Sequence, residues 1–208
     1  MCVSKTPATE PAPTLRGTVG NPNLPSMALP ITEYPQYFTA TNLVPIAIGR
    51  QKLLKPDKYK DIVISSLRFL VEDKRAKIFA FVVMDNHIHL IWQMMPDNDP
   101  EAVQRDFLKY TAQRIKKDLL TNHPKVLEYF KVDAKDREYL PIAIGIWERN
   151  ALSVELRRPE VFTQKLDYIH WNPVKAGMCN VPEEYKYSSA LFYETGIDNW
   201  GFLTHYSD

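Results

Sequence analysis

Lys77-Ile78-Phe79-Ala80-Phe81-Val82-Val83-Met84-Asp85-Asn86-His87-Ile88-His89-Leu90-Ile91-Trp92-Gln93-Met94 is the stretch that decides the fold. Two apolar, β-prone runs flank the Asp85-Asn86 turn dipeptide, which predicts a hairpin of strands 77–84 and 87–94. Alternate side chains of a strand share a face, so His87 and His89 project together while Ile88 points the other way. Two neighbouring imidazoles make a two-point claw for a divalent metal. Histidines at this spacing also serve as ordinary packing or surface residues, so the pair alone leaves the chemistry open.

Working outward, Tyr37-Phe38-Thr39-Ala40-Thr41 is β-rich and begins an earlier strand. Between it and the hairpin, Pro56-Asp57 is a helix entry with Asp57 as cap, and Val63, Leu67 and Leu70 follow at helical spacing, giving a helix to about Glu72. After the hairpin, Pro100 to about Leu120 reads as a long amphipathic helix with Val103, Phe107, Leu108, Ala112 and Ile115 inward. Residues 121–158 are harder to place, with a strand expected near Ile142 to Trp147. Pro159 then opens a helix over Glu160 to Trp171, stopped by Asn172-Pro173. The aromatic segment 180–208 is expected to wrap the domain. The order β-α-β-β-α-β-α implies an α+β sandwich, an antiparallel sheet with helices packed on it, similar to ferredoxin-like folds.

Composition bounds the rest. The 208 residues suit one domain plus a tail, and residues 1–33, rich in Pro, Thr, Ser and Asn, read as a disordered extension before a domain over 34–208, with Met27 as an alternative start. The net charge of +1 announces no nucleic-acid binder by bulk charge, and two cysteines exclude a disulfide scaffold or a cysteine-rich zinc site. No apolar run reaches the ~20 residues of a membrane span, and the N-terminus lacks a signal-peptide layout, so a cytoplasmic location without membrane association is expected. Pro-Ile-Ala-Ile-Gly occurs at 45–49 and again at 141–145; two distant copies make no repeat architecture.

The second chemical element is Asp167-Tyr168-Ile169-His170-Trp171-Asn172-Pro173. Tyr168 and Asn172 are one helical turn apart and share a face, while His170 points elsewhere. A tyrosine nucleophile beside a neutral oxygen ligand suits metal-assisted attack on phosphorus. Tyr110 is a rival nucleophile, but residue 114, one turn on, is arginine, so packing or DNA contact suits it better. Trp92, Trp147 and Trp171 are candidates for stacking on unpaired bases, or for the core.

Together the motifs carry a resemblance. Val83 to Trp92 looks like the MPNHxH strand of single-tyrosine (HUH) transposases, and Tyr168 to Gly177 looks like the YxxxNPVxAG segment of their REP-associated branch. Phe107 to Ala112 is similar to the family's helix after the metal strand, and Trp147 to Asn150 resembles, more loosely, its tryptophan-led element. The resemblance spans roughly 34–206. It implies His87, His89 and Asn172 as metal ligands, Mg²⁺ or Mn²⁺ as cofactor, and no organic cofactor. It implies Tyr168 as the nucleophile of a single-strand DNA endonuclease and transposase, which cleaves and rejoins through a 5′-phosphotyrosine, with single-stranded or hairpin DNA as partner. Departures are Asp85 where proline is usual and Trp171 before Asn-Pro. A catalytically silent DNA-binding relative, and an unrelated metal hydrolase using His87, His89 and an acid such as Asp85, are the alternatives. Monomer and homodimer remain equally open.

Overall fold

The computed structural model describes residues 40–47, 50–127, 145–148 and 151–208. The expected extension 1–33 and the start of the first strand at 37–39 lie outside these residues. Strand β1 is Ala40–Val44, β2 Ala76–Val83, β3 Ile88–Met94 and β4 Leu152–Leu156; helix α1 is Asp57–Glu72, α2 Pro100–Asn122, α3 Pro159–His170 and α4 Ala190–Thr195. The strands form one antiparallel sheet in the order β2-β3-β1-β4, so the α+β sandwich expected from the sequence is the fold observed.

Helix starts follow local chemistry. Asp99 caps α2 by accepting from the Glu101 N–H at 3.1 Å, with Pro100 at the first helical position. Pro159 plays the same part for α3. The cap of α1 is a correction: Pro56, in an extended conformation, is the cap residue, and Asp57 is the first helical residue, where its charge favours the positive helix end.

A bulge in β2 sets which side chains face which layer. The pairing of β2 with β3 shifts between Ile78 and Ala80, so Phe79 and Ala80 both face one side and the alternation restarts. Ile78, Phe81 and Val83, with Ile88, Leu90 and Trp92 of β3, face α1 and α2. Phe79, Ala80 and Val82, with Ile91, face Phe162, Leu166 and Ile169 of α3. Burying each of these three α3 side chains contributes roughly 1.5–3 kcal/mol, which holds α3 flat on the face that also carries His89.

The C-terminal segment straps the outer edge of β2, as its aromatic content suggested. The Val83 N–H donates to the Tyr187 carbonyl at 2.9 Å, the Ser189 N–H to the Phe81 carbonyl at 3.0 Å, and the Thr204 N–H to the Ile78 carbonyl at 2.9 Å. This covers a sheet edge that would otherwise expose unpaired backbone groups.

The last strand is a second correction. Of the stretch expected as strand near 142–147, residues 142–144 lie outside the described residues, and Trp147 makes only an isolated bridge to Ala47. The strand that pairs with β1 is Leu152–Leu156. It is an edge strand with Leu152 and Val154 exposed, so its weak apolar pattern carries little burial signal. Among the described residues no helix is long and apolar enough to cross a membrane.

Candidate active site

His89 lies in β3, opposite Val82 of β2, and His87 continues the strand as a bridge to Ile46. The first Pro-Ile-Ala-Ile-Gly segment is what holds it there. The Ile88 N–H donates to the Pro45 carbonyl at 3.0 Å, and the Ala47 N–H to the Asn86 carbonyl at 2.8 Å. Pro45 to Ala47 thus extends β1 alongside the histidine turn; residues 48–49 and 141–144 of the two copies lie outside the described residues.

The two imidazoles converge. Their Nε2 atoms are 3.0 Å apart and their rings are nearly perpendicular, with centroids 4.7 Å apart. Asn86 fixes one tautomer: its Nδ2 donates to the Arg50 carbonyl at 3.2 Å, which turns Oδ1 toward His87 Nδ1 at 2.7 Å. His87 therefore carries its proton on Nδ1 and presents a lone pair at Nε2. Burial disfavours the charged form of both rings: desolvation lowers the pKa of His87, and desolvation, then repulsion from a protonated His87 and from Lys165, lower that of His89 to about 3. His89 Nδ1 is buried without a hydrogen-bond partner.

This arrangement fits a divalent cation. Adjacent ligands on an octahedral ion with bonds of about 2.1 Å lie roughly 3.0 Å apart, which is the separation of the two Nε2 atoms. Among the described residues no group of three His, Cys, Asp or Glu side chains is assembled, so further ligands would be an amide, a phosphate or water.

Helix α3 brings Tyr168 over this pair. Its ring meets His89 edge-on, with centroids 5.8 Å apart and planes at 89°, and the side chain is 44% exposed. His170, on the same helix, is fully buried. Its Nε2 lies 2.8 Å from Ser189 Oγ, which in turn donates to the Phe81 carbonyl at 3.2 Å and accepts from the Phe81 N–H at 3.0 Å. That network pins the C-terminal end of α3 to the middle of β2.

The chain after Tyr168 continues helically through Trp171, and one side chain caps the carbonyls left at the junction. Asn172 Nδ2 donates to the Tyr168 carbonyl at 2.8 Å and the Ile169 carbonyl at 3.3 Å. It stitches α3 to a further helical turn, Asn172–Lys175, which opens with Pro173 and ends at Gly177 in the left-handed conformation. The result places Lys175 Nζ 5.1 Å from the Tyr168 ring centroid, while Lys165, one turn before the tyrosine, sits 4.8 Å from it. Neither lysine, nor the tautomer-fixing role of Asn86, was read from the sequence. The spacing of Lys165 from Tyr168, three residues on a helix, was the available signal.

Other sequence candidates fall elsewhere. Tyr110 is exposed on α2, whose buried residues all face the opposite side of the sheet from His89 and α3. Trp92 and Trp147 belong to the core, the latter donating from Nε1 to Thr111 Oγ1 at 3.0 Å. Trp171 is half-buried. Asp85, the acid a histidine-based hydrolase would use, instead pairs with the buried Lys60 ammonium at 3.3 Å.

Known proteins resemble this chain in part of its sequence and in its fold. Residues 37–130 match the family model described as "Transposase IS200 like". A protein of Haemophilus influenzae named as a REP-associated tyrosine transposase is 32% identical over 111 residues, 53% of this chain and 56% of its own length. The chain thus aligns with little more than half of that relative. A solved structure of a REP-associated tyrosine transposase bound to a REP hairpin superposes with a TM-score of 0.55 at 20% identity, covering 88% of this chain and 94% of that one, and so shares its fold. On these matches the chain is similar to IS200-like transposases over residues 37–130 and shares the fold of a REP-associated member.

Proposed function

We propose that this protein is a metal-dependent endonuclease and strand transferase for single-stranded DNA, acting on hairpin-bearing substrates through a covalent tyrosine intermediate. The observation that carries the reading is the meeting of Tyr168 with His89, two residues far apart in sequence, on one sheet face. His87 and His89 would hold Mg²⁺ or Mn²⁺ through Nε2, with the amide oxygen of Asn172 as a third ligand. When bound, the cation supplies Lewis acidity at a non-bridging oxygen of the scissile phosphate.

The chain's own residues do the rest. Tyr168 Oη attacks phosphorus; the O–P bond forms as the bond to the 3′ oxygen breaks, the phenol proton passes to water, and the departing 3′ oxygen takes up a proton. The product is a 5′-phosphotyrosine, which a second 3′ hydroxyl reverses to rejoin DNA. Half-exposed placement of Tyr168 leaves its oxygen accessible to a strand lying over the sheet. One nucleophile serves one strand, so paired duplex is not the expected substrate. The REP hairpin held by the structural relative suggests the same class of ligand here.

The test is incubation of the protein and its Tyr168→Phe variant with hairpin, single-stranded and duplex oligonucleotides in Mn²⁺, followed by a denaturing gel. A protein–DNA adduct on hairpin DNA, absent in chelator and absent from the variant, is expected. Equal cutting of plain duplex, or an adduct that survives Tyr168→Phe, would overturn the reading.

A further inference from the structure

We infer that Lys165 and Lys175 form a phosphate-binding fork around Tyr168, gripping the DNA backbone where it crosses the nucleophile. The inference deepens the proposed function, since the ligand is the phosphodiester backbone of the same substrate.

Three observations converge on it. First, the two ammonium groups arrive from different chain segments, Lys165 from within α3 and Lys175 from the turn beyond it, yet both lie about 5 Å from one phenol ring. The helical turn after α3, joined to it through Trp171 and the Asn172 side chain, brings Lys175 to this place. Second, neither lysine is ion-paired with a carboxylate among the described residues, although the described salt bridges pair other lysines and arginines of the chain. Third, Lys165 is half-buried beside the ring that meets His89 edge-on. A partly desolvated ammonium without a counter-charge is unfavourable alone. A second ammonium at the same ring adds repulsion, and a divalent cation on the histidines would add to it. An anion is the missing component.

The ring explains how the fork stays in place when empty. Cations over an aromatic face are attracted by its quadrupole, by roughly 0.5–1 kcal/mol at exposed sites. Tyr168 thus holds both ammonium groups around the ring whose hydroxyl would attack the phosphate. Lysine suits this use as a point charge, whereas a rigid bidentate arginine would hold one orientation of the phosphate.

The experiment measures equilibrium binding of a DNA hairpin with single-stranded flanks across a salt series. Every protein carries Tyr168→Phe, so that no covalent product forms. Each phosphate contact on a single strand contributes about 0.7 to the slope of log affinity against log salt. Lys165→Gln and Lys175→Gln should each lower the slope by about 0.7, and the double variant by about 1.4. Lys165→Arg and Lys175→Arg should restore it, which a role in packing alone would not require. In parallel, Lys165→Gln and Lys175→Gln in the Tyr168 background should form the adduct more slowly.

Weaker binding with an unchanged slope would mean that the lysines only pack the tyrosine helix, and would overturn the fork. An unchanged slope with a normal adduct would do the same while leaving the proposed function standing. The expected slopes in a protein that never forms an adduct would retain the fork and remove the endonuclease reading. A parent protein that does not bind the hairpin would remove both.

Discussion

Asn86 shows how much one side chain can decide. By accepting from His87 Nδ1 it fixes which nitrogen faces its neighbour, and such outer partners typically change metal affinity by 10–100-fold when removed. Asn86→Ala should therefore weaken Mn²⁺ binding by about that factor while the fold is retained, as titration calorimetry with the hairpin present would show. His170 makes the complementary case, a histidine serving structure. Burial lowers its pKa from 6.5 to about 3, so between these values the unfolded chain binds the extra proton. Its contribution to stability is complete above about pH 6.5 and is lost as pH falls, by about 1.4 kcal/mol per pH unit for one such group. His170→Gln should show a correspondingly shallower decline in urea-unfolding free energy between pH 6.5 and 4; parallel curves for the two proteins would remove this account. In sequence, the two kinds of histidine look alike: what separates them is a serine 19 residues on, Ser189, which no local pattern could connect to position 170.

The elements differ in how openly the sequence declares them. The hairpin of β2 and β3 was legible as two continuous apolar runs about a turn dipeptide, and helices α1, α2 and α3 because each buries one face and has a clear start or stop. Strand β4 was not: it is short, sits at the sheet edge, and exposes two of its three apolar residues, so tertiary pairing with β1, not its own pattern, makes it a strand. The turn between β2 and β3 is built differently from what a surface Asp-Asn dipeptide suggests. Asp85 pairs with Lys60 of α1, whose side chain is 5% exposed, and the Asp85 carbonyl accepts from the Leu54 N–H at 2.7 Å. Removing one partner of so buried a pair leaves the other charge uncompensated. Asp85→Asn should cost on the order of 3 kcal/mol, read as a lower urea midpoint. Lys60→Met combined with Asp85→Asn should recover much of it, since no unpaired charge remains. The same turn positions His87, so the single variant should also reduce DNA cleavage more than its stability loss alone explains.

At the scale of the whole molecule, the sheet divides labour between its faces. The face under α1 and α2 is a closed apolar core, whereas the other gathers His89, α3 and the C-terminal strap. The candidate chemistry was legible as two separate motifs, but their union on one face, and the lysines that flank it, are products of tertiary folding. His89 and Tyr168 are contributed by the same polypeptide, and α3 reaches its own sheet through its own buried Phe162, Leu166 and Ile169. A consequence lies in the kinetics. If every group required for the cut is already assembled within one chain, turnover has no encounter between protein molecules to wait for. The initial rate of cleavage at saturating DNA should then rise in direct proportion to enzyme, with specific activity flat on dilution into the low nanomolar range. An upward curve, steepening toward the square of concentration, would mean that tyrosine and histidines meet across a pair of molecules.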